Sequence, residues 1–336
     1  MDQMTEAQPA PETPPAPRTP VRRRGWADVG KRFMLLWAAV LMAALFSVLM
    51  PTTFPTGGNA IALLNSESFV LILALAVTVP LRAGDFDLSV AAVMVFCAAV
   101  LGVLVTQAHW PVWAACAAAL AIGVGIGAIN ALFIVGLGIN AFIVTLGSMT
   151  ILGGLTYGVT GGNIVIGLPN GLIRLGQAHI LGLPDSVYYG WVLALILWYL
   201  YEYTPVGRYL LFVGGNPEAA RLAGLRVDRT RFAAFVASAA LSAFAGIVLA
   251  AQLGAVDPTL GPSYLLPPYA AAFLGTTTVQ IGRFNVGGTV IATYLLAIGV
   301  SGLLLLGVSP WVSDVFDGAA LLAAVAFARL ATRTAD

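Results

Sequence analysis

Residues 112–135 read VWAACAAALAIGVGIGAINALFIV, twenty-four residues without a charge. An α-helix needs about 20 apolar residues to cross the hydrocarbon core of a bilayer. A helix that is apolar on all sides must be buried in protein or in lipid. Runs of this kind recur along the chain, separated by short turns. They predict an all-α, polytopic membrane protein. Composition agrees, with 59% hydrophobic and 9% charged residues, against roughly 25% charged in a soluble domain.

The runs place ten crossings near 33–50, 60–81, 87–106, 112–135, 141–160, 188–203, 231–253, 267–279, 285–306 and 311–330. The eighth is short for a complete crossing. It reads as a broken or re-entrant helix, which a membrane tolerates only where protein satisfies the backbone. Residues 1–30 are proline-rich and aperiodic, which predicts a disordered tail. The membrane domain then covers 31–331 and a short tail covers 332–336. Arg22, Arg23, Arg24, Lys31 and Arg32 precede the first run, which predicts a cytoplasmic N-terminus. With alternating crossings from there, Arg174 alone of the 16 basic residues falls outside, and the C-terminus is cytoplasmic too. The histidines His109 and His179 fall outside as well, His179 on a long glycine-rich segment, 161–187.

Several functions are excluded or disfavoured. The only lysine is Lys31, followed by Arg32, so no Gly-Lys-Ser/Thr phosphate loop exists. Cys97, Cys116 and the two histidines have no metal-ligand spacing, and no nucleophile–base pair stands out. A net charge of +1 gives no reason to expect nucleic acid. The chain is expected to bind no cofactor and to be no enzyme.

One stretch stands apart from the oil: VGGNPEAARLAGLRVDRTR, residues 213–231. Asn216 suits an N-cap, Pro217 the first helical position and Gly224 the stop. Glu218 sits where the helix dipole favours an acid. Ala219, Leu222 and Ala223 share a face. A helix this short is unstable alone, so it must dock, either on its own membrane domain or on a partner. Glycines four apart at Gly123 and Gly127, and at Gly154 and Gly158, mark close helix packing within the chain or between two copies.

Three segments carry a resemblance in order: AGDFDLSV at 83–90, INALFIVGLGINAFIVTLGSMTILGGLTYGVTGG at 129–162, and TPVGRYLLFVGGNPEAARLAGLRV at 204–227. They resemble the ribose/galactose/xylose-type sugar permeases of ATP-binding-cassette importers, which share a superfamily with branched-chain amino acid permeases. The likeness extends over roughly 60–330. It implies that loop 204–230 is a coupling loop, with Asn216, Pro217, Glu218, Ala219, Ala220, Arg221, Leu222 and Gly224 gripped by an ATPase subunit. ATP and Mg would then sit on that partner. It further implies a second permease copy or paralogue, a periplasmic or lipid-anchored solute-binding protein, and a bacterial inner-membrane location. Many relatives carry Gly-Tyr-Glu-Leu-Asp-x-Ile-Ala-Ala after the seventh run. Here Leu265 replaces the glutamate and Pro267 the aspartate, and a following Gly-Gly-x-Gly becomes Ile281-Gly282-Arg283-Phe284.

Polar residues in the apolar runs are candidates for the solute path: Asp87, Ser89, Thr145, Ser148, Thr150 and Gln252. Each has a structural alternative. Asp85, Asp87 and Ser89 can cap a helix, and the hydroxyls can bond their own helix. The shortage of fixed charge favours a neutral polar solute, a monosaccharide above all, with branched-chain amino acids or nucleosides as alternatives. The contrasting class is an ion-coupled carrier that relays protons through Glu67, Asp85, Asp314 and Asp317.

Overall fold

The computed structural model describes residues 33–333. The tail expected at 1–30, the basic residues up to Arg32, and residues 334–336 lie outside the described residues. The helices are α1 (Met34–Leu49), α2 (Gly57–Ser66), α3 (Ser68–Arg82), α4 (Val90–Thr106), α5 (Val112–Ala131), α6 (Ala141–Thr160), α7 (Asn170–Gln177), α8 (Asp185–Tyr203), α9 (Pro205–Gly215), α10 (Pro217–Leu222), α11 (Val227–Leu253), α12 (Leu266–Gly275), α13 (Val286–Leu305) and α14 (Trp311–Arg333). A π-turn, Leu132–Gly136, extends α5.

A helix stands at each of the ten predicted places. Among the described residues, five helical segments are long and apolar enough to cross a membrane: Gly57–Arg82, Val112–Gly136, Ala141–Thr160, Val227–Leu253 and Val286–Leu305. The others fall short for visible reasons. With 16 and 17 residues, α1 and α4 are apolar but shorter. The 10 residues of α12 span only about 15 Å, which is the broken eighth element expected from its length. Of the five, Gly57–Arg82 is built from two helices, α2 and α3, which meet at Glu67. Segment 161–187 is not plain loop. It holds α7 and a two-residue hairpin, β1 (His179–Ile180) against β2 (Leu183–Pro184).

The core forms around α3 and α11. Every residue of α3 is buried, as its apolar run from Phe69 to Val77 requires, and the burial extends to Arg82. Helix α11 packs against α3, α4 and α5 through Ala, Ser and Gly. A Cβ at Gly127 on α5 would lie 2.8 Å from the Phe235 carbonyl oxygen, and one at Gly246 on α11 would strike the Met94 carbonyl on α4. Small residues let these backbones touch. A second group, α1, α12, α13 and α14, closes on the other side of α3 around Ala74, Ala271 and Leu296. Helix α6 is the outlier. It buries one stripe, Ala141, Thr145, Leu152, Thr156 and Thr160, and Gly147, Gly154 and Gly158 meet only open space.

Candidate functional site: a capped surface helix joined to a buried carboxylate knot

Helix α10 has the caps its sequence predicts. The Asn216 side-chain oxygen accepts from the backbone N–H groups of Glu218 and Ala219, each at 3.0 Å. Gly224 follows at φ +82°, a left-handed conformation that glycine adopts without strain. The helix is held from one side only. Ala220 is buried with Val213 and Val227, against a half-buried Leu225. The opposite face, Ala219, Leu222 and Ala223, is exposed, and Leu222 is 91% exposed. Both readings of this segment therefore have a place in the structure: one face ties it to its own chain, and an apolar face is left open.

A chain of polar contacts leads inward from α10. Arg221 Nη2 donates to Asp228 Oδ1 at 2.9 Å, which links α10 to the first turn of α11. Three residues on, Arg231 forms two hydrogen bonds to Asp85. Nε donates to Oδ2 and Nη2 to Oδ1, both at 2.7 Å. This fork is the strong form of an arginine–carboxylate pair. Asp85 belongs to the 83–89 loop between α3 and α4, and that loop ends in a buried knot. Asp87 Oδ1 accepts from the backbone N–H of Ser89 at 3.1 Å and from its hydroxyl at 2.6 Å. Asp87 Oδ2 accepts from the Ser238 hydroxyl on α11 at 3.0 Å. Asn130 on α5 donates to Ser89 Oγ at 3.1 Å. The Tyr269 hydroxyl on α12 donates to the Asp87 carbonyl at 2.7 Å and accepts from its N–H at 3.1 Å. A buried carboxylate needs such donors to stay in place. The knot ties α4, α5, α11 and α12 together at one point.

The other path candidates are scattered. The Thr145 hydroxyl is buried and donates to its own helix at the Ala141 carbonyl. Ser148 is half-buried on the same helix. Thr150 also bonds its own helix, at Leu146, but it is exposed and lines a cavity of about 230 Å³ between α4, α6 and the segment after α11. Gln252 ends α11. Its side-chain oxygen accepts from Ser68, and its carbonyl accepts from Gln177 on α7, both at 2.8 Å. It is a tie at the far end of the bundle from α10. Sequence reasoning missed Arg231 as the partner of Asp85, and Ser238, Asn130 and Tyr269 as partners of the knot. Asn130 alone gave a signal, as a lone amide in an uncharged run of 24 residues.

The chain is similar to proteins of known role. The ribose import permease protein of Escherichia coli strain K12 is 33% identical over 294 residues, 86% of this chain and 91% of that one. The Haemophilus influenzae ribose import permease is 30% identical over 292 residues, covering 86% and 90%. The L-arabinose transport system permease of Escherichia coli strain K12 is 34% identical over 303 residues, covering 88% and 92%. No solved structure matches. The family described as branched-chain amino acid transport system / permease component matches residues 59–325, which include the helix pair at Glu67, the Asp87 knot and α10, and this polytopic helical membrane protein belongs to it.

Proposed function

We propose that the chain is the membrane-spanning permease subunit of an ATP-binding-cassette importer for a neutral monosaccharide. ATP and Mg belong to a partner ATPase that receives α10, and a periplasmic or lipid-anchored binding protein delivers the solute. The chain sits in the bacterial inner membrane with both ends in the cytoplasm. The observation that carries this reading is the open apolar face of α10. Leu222, with Ala219 and Ala223, leaves an apolar helix face uncovered, which suits a groove in a partner, and three relatives are named as sugar permeases. The Arg221–Asp228 and Arg231–Asp85 contacts give a push on α10 a route to the Asp87 knot.

Two further observations support the solute class and the second copy. The cavity beside Thr150 has a mostly apolar wall with the hydroxyls of Thr156, Tyr157 and Thr259, and no charged side chain among the described residues. Hydroxyls without fixed charge suit a neutral polyol. The bare face of α6, with Gly147, Gly154 and Gly158, suits close approach of a second permease.

The test is co-purification of the ATPase from native membranes in mild detergent. The Glu218→Ala/Leu222→Ala variant should lose at least about tenfold of the ATPase that follows the wild type, with unchanged melting of the chain. Equal recovery would remove α10 as the contact.

A further inference from the structure

A second cavity, of about 550 Å³, opens where α3 ends, between α9 and the turn before α13. Three arginines line it: Arg82, Arg208 and Arg283. Arg82 is 4% exposed. Its Nη1 donates to the Phe284 carbonyl at 3.1 Å, and its Cζ sits 4.2 Å above the Tyr201 ring. Its Nε is buried and has no hydrogen-bond partner among the described residues. None of the three arginines forms an ion pair among the described residues. Glu202 lies within electrostatic range of Arg82, but its Oε1 accepts from Gln280 at 2.7 Å and it stays exposed. Arg283 lines the same cavity and adds like charge.

Burying a guanidinium beside a second cation is costly when no carboxylate bonds to it directly. The arrangement is stable when an anion joins the arginines. Guanidinium forks match the oxygens of a phosphate in geometry as well as charge. The volume exceeds that of a bare ion, and Leu211, Phe212 and Phe284 add an apolar wall for a carbon skeleton. Cavities of roughly 300–1,000 Å³ are the size that holds small organic ligands.

We propose that this cavity binds a phosphate group, carried either by an anionic phospholipid headgroup or by a soluble phosphorylated metabolite. Its placement on the cytoplasmic side rests on the coupling reading above. Gly214 and Gly215 form part of its rim and lead directly into Asn216. An occupied site therefore pins the root of α10 to the end of α3 and to the turn at Gly282. The Gly214 backbone already packs against Arg82 and Gly84, so a ligand on the arginines would reinforce an existing joint and link occupancy to ATPase contact.

The probes are dioleoyl phosphatidylglycerol and glucose 6-phosphate, titrated separately by native mass spectrometry against the full chain in a neutral maltoside detergent. At least one should bind the wild type, and the Arg208→Gln/Arg283→Gln variant should bind it at least about tenfold more weakly. Both positions are exposed, so this variant tests the site without disturbing the core. Arg82→Lys keeps the charge but loses the fork and should weaken binding as well. Lipid binding alone assigns the site to the headgroup, and sugar phosphate binding alone assigns it to a soluble ligand. Failure of both probes, or equal affinity in the double variant, overturns the proposal. Phosphate binding that persists in a chain unable to recover an ATPase would sink the coupling reading and leave this site standing.

Discussion

Arg231 and Asp85 meet with side chains that are 25% and 10% exposed, while Arg221 and Asp228, one turn away, are 55% and 63% exposed. The two pairs have similar lengths and different surroundings. Water screens the outer pair, so it contributes about 0–0.5 kcal/mol. The inner pair is partly withdrawn from water, and loss of one partner leaves a charge uncompensated. Asp85→Asn and Arg231→Gln should each cost about 2 kcal/mol, with a coupling energy of about 1–2 kcal/mol in a double-mutant cycle read by thermal unfolding. The cycle at Arg221 and Asp228 should give under about 0.5 kcal/mol. Additive single effects at Asp85 and Arg231 would make that fork incidental. Asp85 was visible in the sequence as a costly acid in an apolar setting. Its partner was not, because Arg231 lies 146 positions away and reads as one of several loop arginines.

At the scale of elements, glycine spacing proved ambiguous in a useful way. Gly123 and Gly127 share a face, as do Gly154 and Gly158, yet the first pair packs against α11 and the second faces open space. Sequence spacing reports that a helix permits close approach and cannot say by what. Gly246→Ala forces the backbones of α11 and α4 apart and should destabilise the chain by about 1–3 kcal/mol. Gly154→Ala meets open space and should stabilise the isolated chain by about 0.5–1 kcal/mol. Equal melting shifts in the two variants would contradict this packing. Helix α10 was the most legible element, since its caps depend on residues within one turn. Asn216→Ala removes two side-chain acceptor bonds and should cost about 1 kcal/mol locally. Hydrogen exchange at 217–222 should rise in that variant, and unchanged protection would show that tertiary contact rather than the cap holds the helix.

At the scale of the molecule, the proposed orientation puts α10 in the cytoplasm. A single cysteine at Leu222, in a Cys97→Ala/Cys116→Ala background, should react with an impermeant maleimide in inside-out vesicles and stay unlabelled in intact cells. Labelling from outside would overturn the proposed sidedness. The class of the chain follows from quantities that act locally. The cost of exposing an apolar run depends on its own length, and a short helix is capped by its own neighbours, so the helices and the α10 turn could be read along the chain. What could not be read is which faces meet. Helices that are apolar nearly all round, such as α3 and α5, carry no periodicity that points to a partner. The convergence of Asp87 with Ser238, Asn130 and Tyr269, of Arg231 with Asp85, and of Arg82 with Arg208 and Arg283 comes from packing alone. Each of these joins residues whose separation in sequence gives no energetic preference until the bundle has closed around them.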